Sequence, residues 1–469
     1  MKYISVLFAV ATLTGCASLP GKTLQPELQS EHGLASAQAF AAPAGAWPDA
    51  AWWKHYGDAQ LDALIDEALA GSPSLAVADA RLQRARAYQD VAHGALTPQV
   101  SAGTSVTQQK QSYNYLSPAA MTPQGWNDYG RASLDFSWEL DFWGKNRAAL
   151  KAATSEVIAA EADARQARLL LTTSIAAAYA ELAREYAAMD TAEASRALRS
   201  KTAELFTQRF GNGLETRGSV RQAESRRASS EAEVLSLQEQ IALQKNRLAA
   251  LLGQGPDRAL SIQRTSVDFS RSFTLPSQLG AELIGRRPDL AAARLRAEAS
   301  AARIHVSRAQ FYPNVNLTAF IGVQSLGLDV LTDHGSGIGS VGPAITLPIF
   351  NGGRLRAQLH GAEAEYAQSV ASYDETLVRA LQEVADAAVS QRALGEQLAR
   401  TSESVSAARE AWQLQNDRYQ GGLSNYLEVL SAEDYLLGTL RVQTDLQSRS
   451  MTLDVALNKA LGGGYSLPN

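Results

Sequence analysis

The sequence carries one pattern twice. Ser72-Pro73-Ser74-Leu75 opens a helical run that ends at Leu96-Thr97-Pro98-Gln99-Val100, and Arg287-Pro288-Asp289-Leu290 opens another that ends at Phe311-Tyr312-Pro313-Asn314-Val315. Both ends are displaced by the same 215 residues (288 − 73 and 313 − 98). Each copy continues into two alternating segments and a very long Ala-rich helix. A duplication on this scale points to one pseudo-symmetric unit of two halves rather than two or three independent domains in 469 residues.

Four segments alternate strictly. The clearest, 131–142, puts Ala132, Leu134, Phe136, Trp138, Leu140 and Phe142 on one face, against Arg131, Ser133, Asp135, Ser137, Glu139 and Asp141. A period of two separates these faces completely. The segment 98–107 sets Val100, Ala102, Thr104 and Val106 against Gln99, Ser101, Gly103 and Ser105. In the second half Val315, Leu317, Ala319, Ile321 and Val323 alternate with Asn316, Thr318, Phe320, Gly322 and Gln324, and 340–349 carries Val341, Pro343, Ile345, Leu347 and Ile349 on one side. A soluble half-buried sheet shows the same alternation. A membrane barrel is favoured by strand lengths of about ten residues, by Phe142, Trp143, Phe311, Tyr312 and Phe350 gathered at one end like an interfacial girdle, and by polar loops at 112–127 and 325–337. Four strands cannot close a barrel, and an open edge in hydrocarbon strands backbone donors and acceptors. Several chains must therefore share one barrel. A homotrimer with twelve strands is the natural count.

The helices are of unusual length. From Lys145 to about Gln208 there is no Pro or Gly, a run of roughly 95 Å at 1.5 Å per residue. Its counterpart runs from about Arg354 to about Gln420, with Gly361 and Gly395 as weak points. Shorter helices follow at about 216–252 and 425–461. In the first of these Val234, Leu237, Ile241, Leu248 and Leu251 form a heptad stripe interrupted by Gln244. Each shorter helix is expected to stack end to end with the Pro73- or Pro288-initiated helix, matching the long one. A coiled-coil rod also fits the helices but leaves the strands unexplained. Ala on several faces, with scattered Arg, Asp, Glu and Gln, suits a hollow cylinder wall that touches neighbours on both sides.

The remaining composition narrows the function. With 19% charged residues and a net charge of −5 there is no basic field for nucleic acid. No apolar run is long enough for a spanning helix. Six histidines lie scattered, no phosphate loop or nucleophile elbow appears, and Gly462-Gly463-Gly464 sits in the tail, so enzymatic readings do poorly and no cofactor is expected. The single cysteine, Cys16, excludes disulfides within the chain. It follows Lys2, an apolar stretch from Ile4 to Leu13, and Thr14-Gly15, an arrangement that resembles a bacterial lipobox. Cleavage would leave Cys16 first and acylated, and several acyl chains anchor stably where one does not. An ordinary signal peptide with an incidental cysteine is the alternative. Ala17 and Ser18, with no Asp beside the cysteine, resemble lipoproteins sent to the outer membrane. The expected divisions are a signal peptide at 1–15, a tether at 16–46, a first repeat at 47–265, a second at 266–462 and a tail at 463–469.

Lipobox, duplicated strand–strand–helix order and trimer arithmetic together resemble the TolC/NodT outer membrane factor family, from about Trp47 to Gly462. The resemblance implies a mixed α and β fold: a trimeric twelve-stranded transmembrane β-barrel in the outer membrane of a Gram-negative bacterium, continued by a long periplasmic α-helical barrel. Segments 52–70 and 266–285, with the tail, would form an equatorial belt. It implies the exit duct of a tripartite efflux pump for toxic small molecules, working with a periplasmic adaptor protein and an inner-membrane pump. Protein export by a type I system and a structural lipoprotein without a pore remain the alternatives.

The helix turns also correspond. Arg209-Phe210-Gly211-Asn212-Gly213-Leu214-Glu215-Thr216 matches Arg418-Tyr419-Gln420-Gly421-Gly422-Leu423-Ser424-Asn425 at an offset of 209 (418 − 209 and 425 − 216). Glycine ends one helix in the left-handed conformation, and Thr216, Ser424 or Asn425 caps the next. That structural role explains the glycines by itself. The resemblance adds a second, making Gly213, Leu214, Gly422 and Leu423 the adaptor-docking tips. It also places the periplasmic gate at 426–434. Related ducts often carry Asp where Ser431 stands, and Glu428, Glu433 or Asp434 would have to supply that charge here, though an ordinary solvated face fits them as well. Leu427 is the apolar gate candidate. Asp135, Glu139 and Asp141 read as barrel-lumen lining.

Overall fold

The computed structural model describes residues 26–29, 44–114, 118–265, 275–276, 283 and 285–466; Cys16 and most of 266–285 lie outside the described residues. In chain order the elements are β1 (Ala44–Gly45), α1 (Ala59–Gly71), α2 (Pro73–Gly94), β2 (Gln99–Gln109), β3 (Asn127–Glu139), α3 (Lys145–Gly211), α4 (Arg217–Leu251), α5 (Asp257–Leu260), β4 (Leu275–Pro276), α6 (Pro288–Ala309), β5 (Asn314–Leu326), β6 (Gly337–Thr346), α7 (Arg354–Gln420) and α8 (Tyr426–Ala460). The duplication is literal: α3 and α7 each have 67 residues, and α4 and α8 each have 35. The offset is 215 at the starts of α2 and α6 but 209 at α3 and α7 (354 − 145), so the six-residue difference falls in the hairpins between them. Both α2 and α6 begin on proline, whose fixed φ and missing N–H suit the first helical position.

Two compact units form, and each draws on both halves: Arg81–Ala160 with Ala293–Tyr373, and Gln29–Ala80 with Glu161–Ala292 and Asp374–Asn469. The repeats are therefore interleaved, not separate folding domains.

In the first unit β2, β3, β5 and β6 make one antiparallel sheet in that order. Register carries the expected alternation across it. Val100 faces Phe136, Ala102 faces Leu134 and Thr104 faces Ala132; Phe136, Leu134 and Ala132 face Ala319, Ile321 and Val323; Val341 faces Ala319 and Pro343 faces Leu317. All the apolar sets thus share one face. Asp135, Ser133 and Phe320 lie on the other, where the Arg131 guanidinium sits 5.1 Å from the Phe320 ring centre. Among the described residues no strand pairs with the outer edge of β2 or of β6.

The strand limits differ from expectation at two places. β3 ends at Glu139 rather than Phe142, and β6 ends at Thr346 rather than Ile349. The cause at β3 is Asp141. Its carboxylate accepts from the backbone N–H groups of Asn146 at 3.1 Å and Arg147 at 2.9 Å, and from Arg147 Nε at 3.2 Å. The first N–H groups of a helix have no partner inside it, so Asp141 leaves the lumen-facing pattern to satisfy those of α3. Of the aromatic residues expected as a girdle, Phe311 is instead buried with Ile304, Leu355 and Leu359. Trp143 stacks on Tyr312 with centroids 4.7 Å apart and donates to Pro313 O at 2.8 Å. Phe142 and Phe350 are exposed.

The second unit holds the main core. Trp52, Trp53 and Tyr56 meet edge to face and pack with Leu61, Leu64 and Ile65 of α1, Ile175 and Tyr179 of α3, Leu248 of α4, and Met451 and Val455 of α8. Asp58 caps α1, accepting from Gln60 N and Leu61 N, and its second oxygen takes the Tyr179 hydroxyl at 2.9 Å. Gln244, an interruption in the heptad stripe, is buried and donates to Ala178 O at 2.7 Å. It ties α4 to α3 by a specific polar contact where a leucine would only pack.

The ends of α4 and α8 close alike. Gln254 N bonds Ala249 O and Gly253 N bonds Ala250 O; Gly463 N bonds Asn458 O and Gly462 N bonds Lys459 O, 209 residues on. These are paired 6→1 and 5→2 bonds around a left-handed glycine. A side chain on Gly253 would strike Pro73, and one on Gly462 would strike the Arg286 carbonyl. Each short helix therefore abuts the start of the proline-initiated one, as expected.

Candidate functional site

The two helical hairpins turn by the same backbone scheme. Leu214 N bonds Arg209 O at 2.9 Å and Gly213 N bonds Phe210 O at 3.0 Å; Leu423 N bonds Arg418 O at 2.8 Å and Gly422 N bonds Tyr419 O at 3.0 Å. Gly213 and Gly422 stand at φ +75 and +77, and an added Cβ at either would meet open space. Glycine is required there by backbone conformation alone. Thr216 Oγ1 accepts from Ser219 N, and Asn425 Oδ1 from Glu428 N, both at 3.2 Å, so each following helix starts on a side-chain cap. The caps fix the turns so that Leu214 and Leu423 project, 64% and 74% exposed. Leucines held in water by a rigid turn are apolar contact points without a partner in the chain.

Behind the turns an aromatic group joins the hairpins. The Phe206 and Tyr426 ring centres lie 3.9 Å apart and those of Tyr419 and Tyr426 5.6 Å apart, while the Arg209 guanidinium sits 5.0 Å from the Tyr419 ring centre. Tyr426 is expected in the gate segment; the structure makes it the packing anchor of α8, and burial raises its phenol above the ordinary value.

One turn further, charges cluster. Arg226 Nη1 of α4 donates to Asp434 Oδ2 at 2.6 Å, and Arg199 Nη2 of α3 donates to Asp434 Oδ1 at 3.1 Å. Arg199 Nε also lies 3.8 Å from the Glu433 carboxylate. Glu433 is buried, and that desolvation, helped by Asp434 and opposed by Arg199 and Arg226, pushes its pKa up to about 7. Asp434 is thus paired within the chain. Glu428 closes the Asn425 cap. Leu427 and Ser431, one turn apart, are exposed on α8, and Tyr435 continues that face.

The sequence-expected residues of the tips come together in one region, and Asp434 and Glu433 meet partners that periodicity did not reveal. Arg199 and Arg226 were legible in one respect: they stand 14 and 13 residues from Gly213 (213 − 199 and 226 − 213), and residues equidistant from a helical turn lie side by side. On the sheet, Asp135 accepts from Ser133 Oγ at 2.9 Å, and Glu139 pairs with Lys145 at 2.5 Å. Among the described residues there is no cluster of ligands for a metal ion and no helix long and apolar enough to cross a membrane.

A four-stranded sheet with one apolar face and open edges, joined to paired 67-residue helices ending in capped, leucine-bearing turns, defines a class of channel subunit. The chain belongs to the outer membrane efflux protein family, whose model matches residues 64–254 and 279–463. The two matched stretches fall on the two repeats. The chain is similar to multidrug resistance outer membrane protein MdtP of Shigella flexneri, 30% identical over 98% of this chain and 96% of that protein. It is similar as well to fusaric acid resistance protein FusA of Burkholderia cepacia, 37% identical over 77% of this chain and 69% of that protein. Its fold is similar to that of the outer membrane protein VceC of Vibrio cholerae, with a TM-score of 0.84 and 51% identity over 90% of this chain and 100% of that one. It also matches the outer membrane channel OprN, with a TM-score of 0.85 and 29% identity over 95% and 99%. The protein is an outer membrane efflux duct.

Proposed function

We propose that three copies of the chain close one twelve-stranded barrel in the outer membrane, continued by a periplasmic cylinder of the long helices, as the exit duct of a tripartite pump. The observation that carries this reading is the sheet: four strands, one continuous apolar face, and two edges without a strand partner among the described residues. In lipid such edges must be satisfied by further strands, bacterial barrels start at eight strands, and three fours make twelve.

In this reading residues 1–15 are removed, Cys16 carries the lipid, 16–46 forms the tether, and 47–265 and 266–462 are the two repeats. Leu214 and Leu423, with Gly213 and Gly422 shaping the turns, dock the helical hairpin of a periplasmic adaptor, which connects the duct to an inner-membrane pump. Leu427 and Ser431 line the entrance. Asp135 and Glu139 face the lumen, whereas Asp141 serves α3. The substrates are toxic organic small molecules, as the names of the fusaric acid and multidrug resistance relatives suggest.

Purified protein in planar bilayers tests the duct, and a deletion strain tests the cargo. Expected results are ion conductance from particles of three chains, and increased sensitivity to small toxic compounds. Conductance absent even from tip variants that loosen the entrance overturns the duct. Unchanged sensitivity beside a lost secreted protein overturns the small-molecule assignment in favour of protein export.

A further inference from the structure

Within the chain, α8 lies against α3 and α4 through a ladder of ion pairs. Asp434 takes Arg199 and Arg226, Arg441 Nη2 donates to Glu233 at 2.6 Å, and Arg184 Nη1 donates to Asp445 at 3.4 Å. The shift of 209 residues that carries α3 onto α7 and α4 onto α8 also defines an equivalent seam, in which an α4 would lie against α7 and α8. The single chain leaves that face bare. Leu169 and Ala180 on α3 are 6% and 1% exposed, yet their counterparts on α7, Val378 and Val389, are 50% and 58% exposed. Met451 of α8 is buried on the core, while its counterpart Ala242 on α4 is exposed. The first unit shows the same asymmetry: α6 buries Ala299 and Ala302 against Ala152, and α2 has no buried residue.

We infer that a second copy of this chain inserts its α4 into the groove between α7 and α8, repeating the seam inside the chain without its ion pairs. The inference rests on the proposed assembly and adds its chemistry. Ala408 and Ser225 stand where Arg199 and Asp434 pair. Tyr435 stands for Arg226, Ala232 and Val442 for Arg441 and Glu233, and Ala393 and Ser236 for Arg184 and Asp445. Only Glu433 has an acidic counterpart, Glu224, and Arg221 on the same helix holds it at 2.7 Å. Tyr435 and Val442 are exposed apolar side chains opposite small ones, Ser225 and Ala232, so the two surfaces fit as knobs and shallow holes. The assembly then alternates ionically fastened seams within chains with uncharged seams between them.

The test is cysteine cross-linking of the full-length protein in detergent with a short bismaleimide, since counterparts of an arginine–glutamate pair need not come within disulfide range. The double variant Ala232→Cys with Val442→Cys is expected to give products of two and three chains on denaturing gels. Neither single variant should do so, which controls for Cys16. Arg441→Cys with Glu233→Cys should give a product of one chain's mass. Ser236→Cys with Ala393→Cys is an independent second pair should the first disturb assembly. Particles of three chains in which both seam pairs yield only single-chain products overturn this seam and leave the trimer standing. Particles of one chain overturn the trimer as well.

Discussion

Arg226 donates to Asp434 across 2.6 Å, joining α4 to the first turns of α8, and Arg199 reaches the same carboxylate from α3. One side chain thus gathers three helices just behind the tips. The pairs are part-exposed, with Asp434 at 45% and Arg226 at 28% side-chain exposure, so each contributes little alone. Shared by two arginines, the carboxylate does more than an isolated surface pair.

Asp434→Ala should loosen α8 by about 1 kcal/mol. Amide exchange in the first turns of α8 then speeds up about five-fold, and channel conductance rises. Raising the salt concentration in the parent protein should move both in the same direction, because ions screen exposed pairs.

Glu433 makes the tips sensitive to pH. Its folded pKa of about 7 lies above the model value of 4.5, so the folded chain holds a proton that the unfolded chain gives up. Its stabilising contribution is complete below about pH 4.5 and is lost as pH rises through about 7. Exchange at the start of α8, corrected for intrinsic rate, should increase from pH 5 to pH 8. Glu433→Gln should flatten that profile and protect α8 at pH 8. Buried Glu185, also pushed up to about 7, leaves a residual dependence confined to the middle of α3.

Glycines of similar φ should differ sharply in cost. At Gly422 an alanine meets open space and pays only for the left-handed backbone, about 1–2 kcal/mol. At Gly462 its Cβ would lie 2.0 Å from the Arg286 carbonyl oxygen, a backbone atom that cannot move alone. Gly422→Ala should lower the thermal midpoint slightly, whereas Gly462→Ala should prevent recovery of folded protein.

The faces of the sheet should respond oppositely to charge. Leu134→Arg places a cation on the apolar face, at about 2–4 kcal/mol if that face meets the bilayer core. Ser133→Arg, one residue earlier on the other face, should be tolerated. Recovery of assembled protein from outer membranes reads the difference.

Asp141→Ala should cost about 1 kcal/mol of stability through the unsatisfied N–H groups of α3. Ion selectivity should stay unchanged, since this carboxylate is turned toward the helix. Asp135→Ala should reverse that pattern.

Period and repetition made much of this protein readable. Strict alternation marked the four strands, absence of Pro and Gly marked α3, and identical offsets marked the turns, because each is a local property that backbone geometry imposes on neighbouring residues. Even Gly213 and Gly422 were legible, as left-handed helix ends. Asp141 was misplaced among lumen residues because alternation continues past the end of β3, and only the unsatisfied amides of the next helix stop the strand. Glu433 and Asp434 read as surface charges because their partners, Arg199 and Arg226, lie more than 200 residues away.

Thus the linear pattern sufficed for the elements, their order and their doubling. The coordinates were needed to show which side chains meet: Phe206 on Tyr426, Gln244 on a carbonyl, two arginines on one aspartate. The two halves share a backbone scheme but not their contacts, since α3 is covered by its own chain and α7 is not. That asymmetry follows from packing between distant segments, where burial and charge are set by neighbours in space.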